Sequence, residues 1–294
     1  MFHGSIPALI TPFKNGQFDA PAYQKLIEWQ IASGSSALVP CGTTGESPTL
    51  SHDEWRTVIK TCVETAAGRV PVIAGAGNNN TAKAVELARE AKELGADAVL
   101  TVVPYYNKPT QEGLYQHFKA ISEVGIPMVL YNVPGRTVAS LTVETMARLA
   151  KLPNVIGNKD ATANLERPTQ ERLACGEKFC LLSGEDGSAM AYLAMGGHGC
   201  ISVTANVAPK QSADLQKAWA AGDMKTAARI RDELADLNSL LFCETNPVPV
   251  KYIASLMGLC ELEYRLPLVP PSADNQKRLR EVAEHMGLLK QKAA

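Results

Sequence analysis

ADAVLTVVP (residues 96–104) is a short apolar run, and IPMVLYNVP (126–134) repeats it after an amphipathic stretch that ends at Gly125. Each run has strand length, and the segment between them has the spacing of a helix, so the pair reads as one βα unit leading into a parallel strand. The same alternation extends in both directions: GSIPALITPF (4–13), ALVPCG (37–42) and VPVIAGAG (70–77) precede it, and NVIGNKDAT (154–162), FCLLSGED (179–186) and GCISVTAN (199–206) follow. Gly34, Gly68, Gly95 and Gly125 each stand just before a strand, where a helix would stop in the left-handed conformation. Ser51 and Glu54 have the spacing of a capping box ahead of Trp55, Val58, Ile59 and Cys62. Eight such units predict a (β/α)8 TIM barrel of about 200–250 residues, with a doubly wound sheet as the alternative. Past Asn206 the pattern turns helical, which predicts a barrel over 1–224 and a helical C-terminal extension over 225–294.

Composition narrows the partners. Twenty-nine basic residues against 30 acidic ones give a net charge of −1, which supplies no basic surface for nucleic acid or anionic lipid. MFHGSIPALI lacks the pattern of a signal peptide and no run reaches membrane-spanning length, so the expectation is a cytoplasmic protein acting on small molecules. Seven cysteines are scattered without a C-x-x-C pair, and the five histidines show no paired ligand spacing, so neither disulfides nor a catalytic metal are expected. IAGAGNNNTA (73–82) carries G-x-G after a strand but not the third glycine of a dinucleotide fingerprint, which disfavours an NAD-dependent oxidoreductase.

In a barrel of this kind the chemistry sits at the C-terminal ends of the strands, and the polar residues there map to one rim. Lys159 interrupts an apolar strand, and an ammonium group in such a place points to solvent, pairs with a carboxylate such as Asp160, or loses its proton. A lysine at its reference pKa is neutral only about once in 2,500 molecules at pH 7, so nucleophilic attack requires desolvation or neighbouring positive charge. Once neutral, it can form a Schiff base with a ketone, and the adjacent methyl can then lose a proton to give an enamine. Tyr131, Thr43 and Tyr106 offer hydroxyls that donate and accept protons. CGTTGES (41–47) offers amides and hydroxyls that suit a carboxylate, and Arg136 offers a bidentate clamp for a second one. A keto-acid sensor without turnover is a reading from another class, disfavoured by the lysine, tyrosine and threonine together.

GTTGES, PYYNKP, LYNVPGRT, NKDAT and GGHGCISVTAN occur in order, and with them the sequence resembles the dihydrodipicolinate synthase family over essentially its full length. The resemblance implies a (β/α)8 barrel with a C-terminal helical region, a homotetramer, no cofactor, and condensation of pyruvate with L-aspartate 4-semialdehyde on the diaminopimelate route to lysine. It makes Lys159 the Schiff-base lysine and Tyr131 its proton-transfer neighbour, linked through Thr43 to Tyr106 of an adjacent subunit. Thr44 would hold the pyruvate carboxylate and Arg136 that of the semialdehyde, with Gly184 and Ile201 lining the pocket. Related N-acetylneuraminate lyases and keto-deoxy-sugar aldolases share the lysine chemistry but generally lack the arginine. Ser47, His52, Asn79, Lys83 and Tyr105 match a cleft that binds inhibitory lysine in the family. Lys83 replaces a common glutamate there and Trp55 a histidine, so weak or absent lysine inhibition is expected. Asn158 replaces a usual aliphatic residue and Asp160 a frequent glutamate, and the sequence leaves open which way Asn158 faces.

Overall fold

The computed structural model describes residues 2–289. β1 (Gly4–Pro7) is followed by a hairpin of β2 (Phe13–Lys14) and β3 (Gln17–Phe18), then α1 (Ala20–Ala32) and α2 (His52–Ala66). The next units are β4 (Ile73–Gly75), α3 (Thr81–Glu93), β5 (Ala98–Val102), α4 (Gln111–Ser122) and β6 (Met128–Asn132). A short α5 (Pro134–Thr137) and α6 (Val143–Leu149) lead to β7 (Val155–Asp160), α7 (Arg167–Cys175), β8 (Cys180–Ser183), α8 (Ala189–Ala194), β9 (Gly199–Ser202) and α9 (Pro209–Ala220). Helices α10 (Met224–Leu240), α11 (Val248–Leu256) and α12 (Ala273–His285) form the C-terminal region.

Seven parallel strands pair in the order β1-β9-β8-β7-β6-β5-β4. The two edges are joined by residues 38 and 39, through parallel bridges Ala8↔Val39 and Leu38↔Val72. Val39 N–H donates to Pro7 O at 3.0 Å and Leu38 N–H to Pro71 O at 2.9 Å, so the ring closes and the doubly wound alternative falls. The second expected strand is therefore shorter than ALVPCG. Pro40 has no N–H to extend it, and Cys41 leaves the extended region at φ 54°. The hairpin was not expected, although Asn15 and Gly16, at φ 53° and 77°, are the left-handed pair such a turn requires. The helix stops agree with the reading: Gly34, Gly68, Gly95 and Gly125 all have positive φ, and the Ser51–Glu54 capping box is formed.

Alternation along the strands divides the apolar residues into two layers. Ile6, Val39, Ile73, Leu100, Val129, Leu182 and Ile201 fill the lumen, while Met128, Leu130, Val155 and Leu181 pack outward against the helices. One irregularity decides the site. Met128 pairs with Val155 but Val129 pairs with Gly157, so Ile156 is an extra residue and β7 bulges. Val155 belongs to the outer layer, and strict alternation from it would send Asn158 inward and Lys159 outward. The bulge reverses this: Ile156 packs on the lumen cluster, Asn158 faces α7, and Lys159 faces the lumen. A side chain on Gly157 would put its Cβ 2.4 Å from Cys180 O, so only glycine permits β8 to approach at the bulge.

Candidate active site

Lys159 lies near the C-terminal end of β7, paired in register with Tyr131 on β6 and Leu182 on β8. It is 6% exposed, and its Nζ stands 4.3 Å from the centroid of the Tyr131 ring. No carboxylate forms a salt bridge with it among the described residues. Asp160, the neighbour that could have neutralised it, sits on the opposite face, where it accepts from Thr162 N–H at 2.8 Å and lies 3.7 Å from Arg167. This amine thus has neither bulk solvent nor a salt bridge beside it among the described residues. On the third side the chain makes room: a Cβ on Gly184 would lie 3.1 Å from Lys159 Cε and 2.8 Å from Ala161 Cβ.

Thr43, Tyr131 and Arg136 line one cavity of about 480 Å³, which continues outward past Ser47, His52, Lys83 and Tyr105. Thr43, Tyr131 and Arg136 therefore share a continuous space with four of the five residues expected in the inhibitor cleft, while Lys159, Thr44, Gly184 and Ile201 are not part of its lining. Asn79 is set back from that wall and reaches Tyr105 O at 3.2 Å. Ile201 is fully buried in the lumen cluster that contains Tyr131. Tyr106 is not brought to Tyr131 and Thr43 within the chain. It is 90% exposed with φ 72°, a left-handed conformation that costs a non-glycine residue energy. Other such residues, Cys41, Glu46, Lys108, Val138 and Ala163, also lie in loops that follow barrel strands.

Sequence reasoning missed the supports of this rim, because they come from far along the chain. Asn246 donates from Nδ2 to Thr44 Oγ1 at 3.0 Å, and its carbonyl accepts from Arg136 at 3.1 Å. One residue after the barrel thus fixes both expected carboxylate binders. Glu46, in the Thr43–Thr44 loop, is buried in an ion pair with Lys251 of α11 and accepts from Arg265 N–H at 3.2 Å. Burial pushes the Lys251 ammonium pKa down, and Glu46 opposes that shift. Glu185, beside Gly184, was also missed: burial raises its carboxyl, and the charges of Lys159 and Arg136 pull it back. Its signal was the acidic pair in FCLLSGED, at the end of an expected strand.

In the outer cleft the chain brings together residues whose spacing gave no metal signal. His52 Nε2 lies 3.0 Å from Glu90, and ligand atoms of His52, Glu86 and Glu90 fall within 4.8 Å of one another. Lys83 pairs with Glu86 at 2.9 Å and Arg56 pairs with Glu90, so the chain's own cations take the positions beside these carboxylates. All seven cysteines are unpaired.

A family model described as the dihydrodipicolinate synthetase family matches residues 1–286. The chain belongs to the dihydrodipicolinate synthase family. The 4-hydroxy-tetrahydrodipicolinate synthase of Rhodospirillum centenum is 59% identical over 290 residues, 98% of this chain and all of that relative. Among solved structures, the dihydrodipicolinate synthase of Aquifex aeolicus is 46% identical with a TM-score of 0.97, covering 99% of this chain and all of that one. A chloride-inhibited dihydrodipicolinate synthase from Acinetobacter baumannii, complexed with pyruvate, is 45% identical with a TM-score of 0.96, over 98% of this chain and all of that one. The barrel that carries the Lys159 rim is thus one this chain shares with the family.

Proposed function

We propose that this chain condenses pyruvate with L-aspartate 4-semialdehyde to 4-hydroxy-tetrahydrodipicolinate, with Lys159 as the nucleophile. The observation that carries the reading is a buried amine, without a carboxylate partner among the described residues, against the face of Tyr131. The amine adds to the keto carbon, and the oxygen leaves as water after receiving protons through Tyr131 and Thr43. The iminium then withdraws electrons from the methyl carbon, which loses a proton to give the enamine. The enamine carbon forms the new bond to the aldehyde carbon, and the aldehyde oxygen takes up a proton. Attack of the semialdehyde's own amine on the imine carbon frees Lys159. Thr44 and Arg136 hold the two carboxylates, Gly184 and Ile201 shape the pocket, and Glu185 offers an anionic partner for the semialdehyde ammonium.

Borohydride reduction in the presence of pyruvate, followed by peptide mass mapping, tests this. The expected result is one reduced pyruvyl adduct on the peptide carrying Lys159, and none in Lys159→Met, which also loses turnover. An adduct elsewhere, or turnover retained in Lys159→Met, refutes the reading. Cleavage of N-acetylneuraminate without use of the semialdehyde would transfer the chain to the sugar-lyase branch.

The same reading includes a 1–224 barrel with a 225–294 helical region, and a homotetramer in which Tyr106 enters the neighbouring subunit's site. It places the protein in the cytoplasm, and no described helix is long and apolar enough to cross a membrane. Lys83 puts a cation on the cavity wall where a lysine effector would bring its own ammonium. Weak or absent inhibition by lysine is therefore expected, and half-inhibition at micromolar to low-millimolar lysine in a steady-state assay refutes this.

A further inference from the structure

Asn158 is the residue that the proposed chemistry leaves unused. It is fully buried on the outer face of β7, and its Nδ2 donates to Glu171 Oε2 at 3.0 Å. Glu171, also fully buried, accepts at its other oxygen from Arg167, one turn earlier on α7, at 3.0 and 2.5 Å. Arg167 in turn approaches Asp160 at 3.7 Å and donates to Leu141 O at 3.1 Å. One amide–carboxylate–guanidinium chain therefore ties both neighbours of Lys159, residues 158 and 160, to a single helix.

The placement has a mechanical reason. The bulge at Ile156 interrupts the ladder two residues before Asn158 and sets which way the following residues face. The amine that emerges on the opposite face must enter a gap bounded by the Tyr131 ring at 4.3 Å and by Gly184, where even one added carbon would come within 3.1 Å of Lys159 Cε. A small rotation of the strand would carry the amine out of that gap. An aliphatic pair in place of Asn158 and Glu171 could hold the strand by packing, but a lone partner could not, because it would leave a buried carboxylate or amide without its match. Asn158 Oδ1 and Asp160 Oδ2 already lack hydrogen-bond partners, so the chain has no spare bonds to absorb a further loss.

We infer that Asn158 and Glu171 are positioning residues for Lys159, a polar clamp that fixes the direction of the amine from behind the strand. This rests on Lys159 being the nucleophile, and borohydride trapping separates the two claims. In the wild type, the adduct on the Lys159 peptide tests the nucleophile, and its absence removes the clamp's purpose along with it.

The clamp itself is read from the rate of adduct formation in variants that remain folded by circular dichroism. Asn158→Leu and Glu171→Leu are each expected to trap pyruvate about tenfold more slowly, since small misplacements of a reacting group cost at least that much. The KM for the semialdehyde should stay within about twofold, because the Arg136 contact that would hold it lies elsewhere. The double variant should trap no more slowly than either single one, because the amide and the carboxylate are removed together and Arg167 keeps Asp160 and Leu141 O. Should Asn158→Leu not fold, Asn158→Ser leaves room to solvate Glu171 while losing the reach to it, and the same slowing is expected. Folded single variants that trap at the wild-type rate, or a double variant slower than either single one, would overturn the clamp.

Discussion

At the level of single residues, the informative fact about Lys159 was its chemical type, and the uninformative one was its direction. An ammonium in an apolar run announces itself in any sequence. Whether it or Asn158 faced the lumen depended on one extra residue, Ile156, in the pairing of β6 with β7, and period-two reasoning from Val155 gives the wrong answer there. Gly184 shows the same division, since its position was legible but the 3.1 Å that a Cβ would leave to Lys159 Cε was not. That distance yields a prediction. Gly184→Ala is expected to fold at a cost of about 1–3 kcal/mol, because Ala161 and Lys159 must yield to the new methyl. Its kcat should fall by at least about tenfold with little change in KM for the semialdehyde, as expected when a reacting group is displaced. Steady-state kinetics with a thermal melt decide it, and a normal kcat would show that the gap around Lys159 is looser than drawn.

Among the elements, strands and helix stops were legible because each is set by local chemistry: alternation, a capping serine, a glycine that tolerates positive φ. The supports of the rim were not, because Asn246, Lys251 and Arg265 reach back some 200 residues to Thr44 and Glu46, and no local spacing encodes such a contact. Helix α11 therefore acts as a strut beneath the Thr43–Thr44 loop. The strut depends on a buried ion pair whose side chains are 1% and 0% exposed, and removing one partner of such a pair strands the other charge. Lys251→Met is expected to cost about 3–5 kcal/mol, and adding Glu46→Gln to it should recover most of that loss. Thermal denaturation at a fixed protein concentration reads both, since subunit association also shifts the midpoint. A single variant as stable as the wild type would show that the loop is held without the strut.

For the whole molecule, closure of the barrel explains why one rim collects Lys159, Tyr131, Thr43 and Arg136, but it leaves Tyr106 outside. Tyr106 is 90% exposed at φ 72°, and the proposed homotetramer would carry it into a neighbouring subunit's site. Reciprocal exchange across a two-fold axis makes a sharp prediction from two defective variants. Tyr106→Phe lacks the donated hydroxyl and Lys159→Met lacks the amine, so each alone is expected to lose at least about tenfold in kcat. Co-expressed in equal amounts, they would, on the proposed exchange, form mixed pairs in which one site holds Lys159 from the first chain and Tyr106 from the second. Random pairing makes half of all dimers mixed with one intact site in two, so activity should return to about a quarter of wild type. If Tyr106 served its own subunit, every site in every pair would still lack one group, and mixing would recover nothing.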